Sequence, residues 1–109
     1  MKAHDFQILL ALSETELHAT AIVRRVREQS DDAVHLWPVT LHRALDRLQE
    51  EKLIAELGAR EHPEGKSRRR RYYRLTQEGA KRLGDEAEAL RSFAEAAKQN
   101  LRGKSWRVT

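Results

Sequence analysis

Four consecutive arginines stand beside two tyrosines in the stretch GKSRRRRYYRLTQEG, which runs from Gly65 to Gly79. Residues 60–74 contain seven positive residues against two negative ones, whereas the whole chain has a net charge of only +4. A guanidinium group is always charged and donates a fork of hydrogen bonds that fits two oxygens of a phosphate. The cluster therefore predicts a phosphate-binding surface, and the alternative is a solvated edge strand whose charge resists aggregation. The residues predicted to bind phosphate are Lys66, Arg68, Arg69, Arg70, Arg71 and Tyr72.

A β-hairpin is the element that carries this cluster. The sequence predicts strands at Leu53–Arg60 and Arg68–Leu75 around EHPEGKS, where proline and glycine supply turn chemistry. Alternation along the second strand places Tyr73 and Leu75 inward and Tyr72 on the opposite side. Tyr72 can then either hydrogen-bond a phosphate or pack along the strand.

The helix before the hairpin presents a second polar face. It is predicted to begin at Pro38, whose fixed φ suits the first helical position, and to continue to about Lys52. Its inward stripe consists of Leu41, Ala44, Leu45 and Leu48. At 100° per residue, the opposite side holds Val39, Arg43, Asp46, Arg47 and Glu50, with Thr40 and His42 on its flanks. This outer face must serve a purpose other than packing the core.

Two shorter helices are predicted nearer the N-terminus. Asp5 is expected to cap the first, which runs through about Ser13, and the second spans roughly His18–Gln29. Trp37 precedes the third helix and is predicted to pack in the core or at a dimer contact rather than to stack on a ligand. Trp106, in the tail, has no role that the sequence pattern indicates.

A long final helix follows the hairpin. Thr76 is expected to cap it, and Glu78 lies in the first turn, where the helix dipole favours an acid. Apolar or small residues then recur in steps of three and four, the spacing of a coiled-coil seam. A helix of about 25 residues is about 38 Å long, so much of the seam is expected to face another chain. The predicted dimerisation residues are Leu83, Ala87, Leu90, Phe93, Ala94, Ala97 and Leu101.

The remaining composition excludes several classes of protein. Cysteine is absent, and the five histidines form no i, i+4 pair, so no metal site is predicted. There is no glycine-rich phosphate loop and no nucleophile elbow, so we expect neither a cofactor nor an enzyme. The longest apolar run, Ile8–Leu12, is far too short to cross a membrane, and a cytoplasmic location is expected.

Three blocks of sequence together resemble the PadR family of bacterial transcriptional regulators. They are HATAIVRRV at His18–Val26, WPVTLHRALDRLQEEKLI at Trp37–Ile54 and RRRRYYRLTQEG at Arg68–Gly79. The chain departs from the family pattern at Trp37, where a capping serine is usual, and at His42, where tyrosine is usual. It also has Ala19-Thr20 where the family commonly has Gly-Tyr.

The resemblance implies a mostly α fold with a small β-hairpin: a winged helix-turn-helix over residues 1–76, a dimerisation helix over 77–102 and a tail over 103–109. It further implies a homodimeric repressor that binds a palindromic operator in double-stranded DNA and responds to a small aromatic or drug-like effector. In such a fold the third helix enters the major groove and the hairpin, or wing, lies along the backbone.

Roles for the outer face of the third helix follow from that geometry. Arg43 is predicted to read guanine, because arginine donates two hydrogen bonds to that base, and Arg47 is predicted to meet phosphate. Thr40 and His42 would touch bases or backbone, unless the ring of His42 covers the core. The competing interpretation is a winged-helix protein-interaction module without sequence-specific DNA binding, which would not need so basic a wing. RNA binding is disfavoured because Tyr72 is the only evident exposed aromatic residue for stacking on unpaired bases.

Overall fold

The computed structural model describes residues 1–61 and 69–103, with only the backbone described for residues 59–61 and 69. The elements in chain order are α1 Ala3–Leu12, β1 Leu17–His18, α2 Ala19–Gln29, α3 Pro38–Glu50, β2 Ile54–Glu61, β3 Arg69–Leu75 and α4 Gln77–Leu101. The predicted winged-helix order is confirmed, with β1 as an addition. Lys66, Arg68 and Trp106 lie outside the described residues.

The three strands form one antiparallel sheet in the order β1-β3-β2. Strand β1 joins it through the pairs Leu17↔Tyr73 and His18↔Tyr72. The sequence did not predict β1, because two residues are too short for an alternating pattern to emerge. Strand β3 lies between β1 and β2, so it is paired on both edges. The pairing with β1 attaches the wing to the helical part of the molecule.

A bulge interrupts the pairing of β2 with β3. Glu56 faces Tyr73 and Gly58 faces Tyr72, so one extra residue lies in β2 between them. Gly58 has a φ of 86°, a conformation that suits glycine because it lacks a Cβ. The bulge bends the strand that leads to the tip of the wing.

The core lies where α1, α2, α3 and the base of the sheet meet. Ile8, Leu9, Ile22, Leu45 and Leu48 are fully or almost fully buried there. Tyr73 is also buried and Leu75 is partly buried against this cluster, which confirms their predicted inward orientation. Burial raises the pKa of the Tyr73 hydroxyl above its ordinary value, and the negative charge of Glu56 adds to that effect.

The start of α1 differs from the prediction. The helix begins at Ala3, its N-cap is Lys2, and no side chain caps it. Asp5, predicted to be the cap, lies within the first turn with its side chain almost fully buried. The prediction was wrong because a partner 42 residues away, Arg47, takes up this carboxylate.

Helix α3 ends at Glu50, slightly before the predicted end at about Lys52. The amide of Leu53 donates to Leu48 O at 3.0 Å and that of Lys52 donates to Gln49 O at 2.9 Å. Lys52 has a φ of 61°, so these contacts form a Schellman turn around a left-handed residue. The turn sends the chain directly into β2.

The predicted cap of α4 is confirmed. Thr76 Oγ1 accepts a hydrogen bond from the Gly79 amide at 3.0 Å and donates one to Lys52 O at 2.7 Å. A Cβ added at Gly79 would lie 2.0 Å from Leu53 O, so only glycine fits this close approach. The start of α4 is thereby attached to the connection between α3 and β2.

The far half of α4 projects beyond the rest of the subunit. Every residue from 91 to 101 is exposed. The radius of gyration is 17.1 Å, whereas a compact domain of this length has a value of about 13 Å. The exposed half therefore extends past the packed core instead of folding against it. Within the described residues, no helix has the length and apolar character needed to span a membrane.

Candidate nucleic-acid interface

The outer face of α3 is open to solvent. Arg43 and His42 are exposed, Thr40 is half-buried, and Val39 is 65% exposed. His42 therefore does not cover the core, which leaves it available for a contact. Asp46 and Glu50 are also exposed, so the acidic groups lie toward the C-terminal end of this face. The N-terminal half is the part that could approach a polyanion without repulsion.

Arg47 is attached to α1 instead of pointing freely outward. Its Nη2 donates to Asp5 Oδ1 at 2.5 Å and its Nε donates to Asp5 Oδ2 at 3.3 Å, a fork that uses both carboxylate oxygens. The hydrogen bond to Asp5 raises the pKa of the Arg47 guanidinium above its ordinary value. Phosphate binding by Arg47 stays a prediction. It would require the guanidinium to release Asp5 or to bind Asp5 and a phosphate together.

In the wing, Arg70 lies against the start of α2. Its Nη1 donates to Thr20 Oγ1 at 3.3 Å, and its Nε is buried with no hydrogen-bond partner among the described residues. The side chain is half-buried, so the position of its guanidinium is restrained beside the first turn of α2.

Arg71 points to the other side of β3. It is exposed and donates from Nη1 to Glu56 Oε1 at 3.1 Å across the β2–β3 pair. A pair this open to water contributes little to stability, so exchanging the carboxylate for a phosphate would cost little. Arg69 lies on β3 as predicted, and only its backbone is described.

Tyr72 packs on a histidine that the sequence interpretation did not single out. The rings of His18 and Tyr72 meet edge to face, with centroids 5.4 Å apart. His18 is buried, and its Nδ1 accepts the amide of Ala21 at 3.2 Å, so it caps α2 from the end of β1. This arrangement supports the strand-packing role of Tyr72. The only sequence signal for this capping role was the position of His18 immediately before the helical pattern of α2.

These contacts bring the wing and the third helix to one side of the molecule. A depression of about 200 Å³ lies between them, and its walls include Thr20 of α2, His42 of α3 and Arg70 of β3. Polar and cationic side chains from α2, α3 and β3 therefore share one concave surface, although they lie up to about 50 residues apart in sequence. Such a surface suits a ligand with regularly spaced negative charges.

The family model of the transcriptional regulator PadR-like family matches residues 8–85, which include α2, α3, the wing and the start of α4. The chain belongs to the PadR-like family of transcriptional regulators. Because the members of this family are regulators and not enzymes, the absence of predicted catalytic residues agrees with the assignment. No curated protein sequence matches the chain.

Solved structures of PadR-like proteins share this fold. A PadR family regulator from Clostridium difficile is 28% identical, with 89% of this chain and 96% of that chain covered and a TM-score of 0.71. A transcriptional regulator from Clostridium thermocellum is also 28% identical, with 92% of each chain covered and a TM-score of 0.69. Bacillus subtilis PadR in complex with operator DNA is similar in fold at 18% identity and a TM-score of 0.66, with 99% of this chain and 52% of that chain covered.

The predicted dimerisation seam of this PadR-like chain is largely uncovered. Leu90, Phe93 and Leu101 are 46%, 69% and 52% exposed. The alanines of the seam, Ala87, Ala94 and Ala97, are exposed as well. Leu83 differs, because it is half-buried and packs against the core of its own subunit. The first turns of α4 thus pack against the core, and the later turns carry the exposed apolar stripe.

Trp37 does not pack in the core of the subunit. It is 66% exposed at the N-cap of α3, and its ring meets that of His35 with centroids 4.3 Å apart. A groove of about 360 Å³ lies beside it, lined mainly by apolar side chains of α2 and α3 such as Val23 and Leu41. The core half of the prediction was wrong, because the chain enters α3 from outside the core and leaves the N-cap at the surface, and packing of Trp37 at a dimer contact stays a prediction. The small aromatic effector implied by the resemblance stays a prediction.

Proposed function

We propose that this PadR-like protein is a sequence-specific DNA-binding repressor that acts as a homodimer on a palindromic operator. The observation that carries the proposal is the depression where Thr20 of α2, His42 near the start of α3 and Arg70 of the wing meet, on the side of the molecule where Arg43 is exposed. A helix with an exposed arginine beside a basic wing has the chemistry to place one element in the major groove and the other on the phosphate backbone.

Within this proposal, Arg43 reads a base edge. It lies on the exposed face of α3, in the second turn of the helix, and the acidic Asp46 and Glu50 follow it toward the C-terminal end of that face. Arg70 and Arg71 bind phosphate. Arg70 is held at the first turn of α2, and Arg71 has an exposed side chain whose partner among the described residues is Glu56. This basic contact would be extended by Lys66, Arg68 and Arg69, and Tyr72 would support it from β3. The flanks of α3 would contact the DNA backbone or the bases through Thr40 and His42.

Pairing through α4 supplies the two-fold symmetry. The stripe that includes Leu90, Ala94, Ala97 and Leu101 recurs at coiled-coil spacing and is exposed in the subunit, so a second copy is the simplest partner that covers it. Two copies of α3 would then enter successive major grooves about 34 Å apart. Occupancy of such a site blocks polymerase, and the repressing sign of regulation is supported by the family resemblance.

The decisive experiment is selection of bound fragments from random duplex DNA at near-physiological salt. The expected product is a palindrome whose half-sites lie about 10 base pairs apart, centre to centre. Transcription in vitro from a promoter that overlaps this sequence should then fall as the protein is added. A pool without any enriched sequence would favour the protein-interaction alternative, and a rise in transcription would exclude a repressor.

A further inference from the structure

Exposed large apolar residues occur at three places in the described part of the chain. Leu90, Phe93 and Leu101 lie on the seam of α4, and Met1 is the first residue. The third place is the N-terminal end of α3, where Trp37 and Val39 are 66% and 65% exposed. This last pair lies far from the seam in sequence and beside the residues proposed to enter DNA.

Val39 shares its surface with the proposed base reader. Residues three and four apart on a helix are neighbours, with Cβ atoms about 5–6 Å from each other. Val39 therefore adjoins His42 and Arg43 on the exposed face of α3. The described residues together cover only about a third of the surface of Val39.

Helix stability does not explain a valine at this position. Valine is a weaker helix former than alanine, lysine or glutamate, because its branched side chain loses rotamer freedom against the preceding turn. Single exposed valines are common on protein surfaces. This one, however, lies between the helix start and an exposed arginine, on the part of α3 without acidic residues.

We propose that Val39 recognises the 5-methyl group of a thymine in the major groove. Thymine is the only base that presents an apolar group there, and a valine can contact it without leaving a polar atom unpaired. The assignment rests on the proposed function, since it requires α3 to lie in the groove. It adds a sequence preference for a T·A pair that hydrogen bonding by Arg43 alone does not supply.

The geometry also locates the thymine relative to the arginine contact. Val39 and Arg43 are separated by about 6 Å along the helix axis, because each residue rises 1.5 Å. Successive bases on one strand rise about 3.4 Å. The thymine recognised by Val39 therefore lies within about two base pairs of the guanine read by Arg43.

The test uses the full chain and the duplex selected from the random pool. Each thymine of a half-site is replaced in turn by deoxyuridine, which lacks only the 5-methyl group, and affinity is measured by fluorescence anisotropy. One replacement, within two base pairs of a guanine that is sensitive to Arg43→Ala, should weaken wild-type binding about fourfold, the effect expected for one buried methyl group. The same replacement should have a much smaller effect on Val39→Ala, whose shorter side chain reaches less of the methyl group.

Two further variants keep the test decisive. Val39→Ile retains the apolar contact and should keep the sensitivity to deoxyuridine, whereas Val39→Thr replaces one methyl group with a hydroxyl and should reduce it. Val39 is exposed, so circular dichroism should report the wild-type fold for all three variants.

Trp37 offers an independent measurement at the same end of α3. In a Trp106→Phe background it is the only tryptophan, and its emission should change when the selected duplex binds. Unchanged emission would place this end of the helix away from DNA and would overturn the proposal. Equal losses for wild type and Val39→Ala on deoxyuridine, or no loss at any thymine, would overturn it as well. A pool that yields no enriched sequence would instead contradict the proposed function itself.

Discussion

Arg47 of α3 holds Asp5 of α1 through both oxygens of the carboxylate, at 2.5 Å from Nη2 and 3.3 Å from Nε. The acid side chain is 7% exposed and the arginine side chain is 34% exposed. The ion pair joins the N-terminal turn of the chain to the C-terminal half of the proposed recognition helix. This ion pair therefore fixes the position of α3 relative to α1.

Replacing Arg47 by alanine should therefore lower stability. The buried carboxylate of Asp5 would lose its partner, which we expect to cost about 1 to 3 kcal/mol because water can partly replace the arginine. Urea denaturation measures this loss. Asp5→Asn should cost less, since the remaining guanidinium can reach water, and Arg43→Ala on the exposed face should leave stability unchanged. If Arg47→Ala lowers the salt dependence of DNA binding by a full unit without destabilising the fold, the phosphate role is the correct one.

Two glycines of α4 provide a matched pair for the helix start. Gly79→Ala would place a Cβ 2.0 Å from Leu53 O, a backbone atom that cannot move away without displacing β2. We expect a loss of about 1 to 3 kcal/mol in the free energy of unfolding. A Cβ at Gly84 meets no atom within 4 Å, so Gly84→Ala should raise stability by up to about 1 kcal/mol through helix propensity. Equal effects of the two changes would show that the approach of Gly79 to Leu53 is not needed.

Arg43→Ala should discriminate base reading from backbone contact. We expect a loss of about 1 to 3 kcal/mol on the selected operator and a much smaller loss on random duplex DNA. Anisotropy titrations on both duplexes at one salt concentration measure the difference. Losses of the same size on both would assign Arg43 to phosphate.

The wing should act through charge rather than sequence. Arg70→Ala combined with Arg71→Ala should weaken binding to all duplexes similarly and flatten the slope of log affinity against log salt by up to about two units per protomer. Arg27→Ala is a suitable control, because Arg27 pairs with Asp32 near the far end of α2, about 10 Å beyond the turn that contacts Arg70. A slope that stays the same in the double variant would remove the wing from the interface.

The seam of α4 predicts a charge-sensitive dimer. Leu90→Glu combined with Leu101→Glu should give monomers by light scattering and greatly reduced operator affinity, because charges would be buried between two apolar faces. Ser92→Glu introduces the same charge on the opposite, exposed side of the helix and should leave the dimer intact. A dimer that survives the double substitution would place the interface elsewhere.

Periodic and capping patterns determined most of the architecture. The stripe of Leu41, Leu45 and Leu48 defined which side of α3 is exposed, and Thr76 and Glu78 marked the start of α4. Such features depend on residues within one or two turns, so the local sequence contains all the information they need. The exposure of Arg43 and of the later seam followed from the same spacing.

Contacts between distant elements were decided only by the tertiary structure. The sequence could not predict that Arg47 is paired with Asp5, that His18 caps α2 and packs on Tyr72, or that Leu83 belongs to the core of its own subunit. Each depends on which side chains the packed core brings within a few ångströms, and the 17 acidic residues of the chain gave Arg47 many alternative partners. Periodicity specifies the face on which a residue lies, whereas three-dimensional packing specifies what lies opposite it.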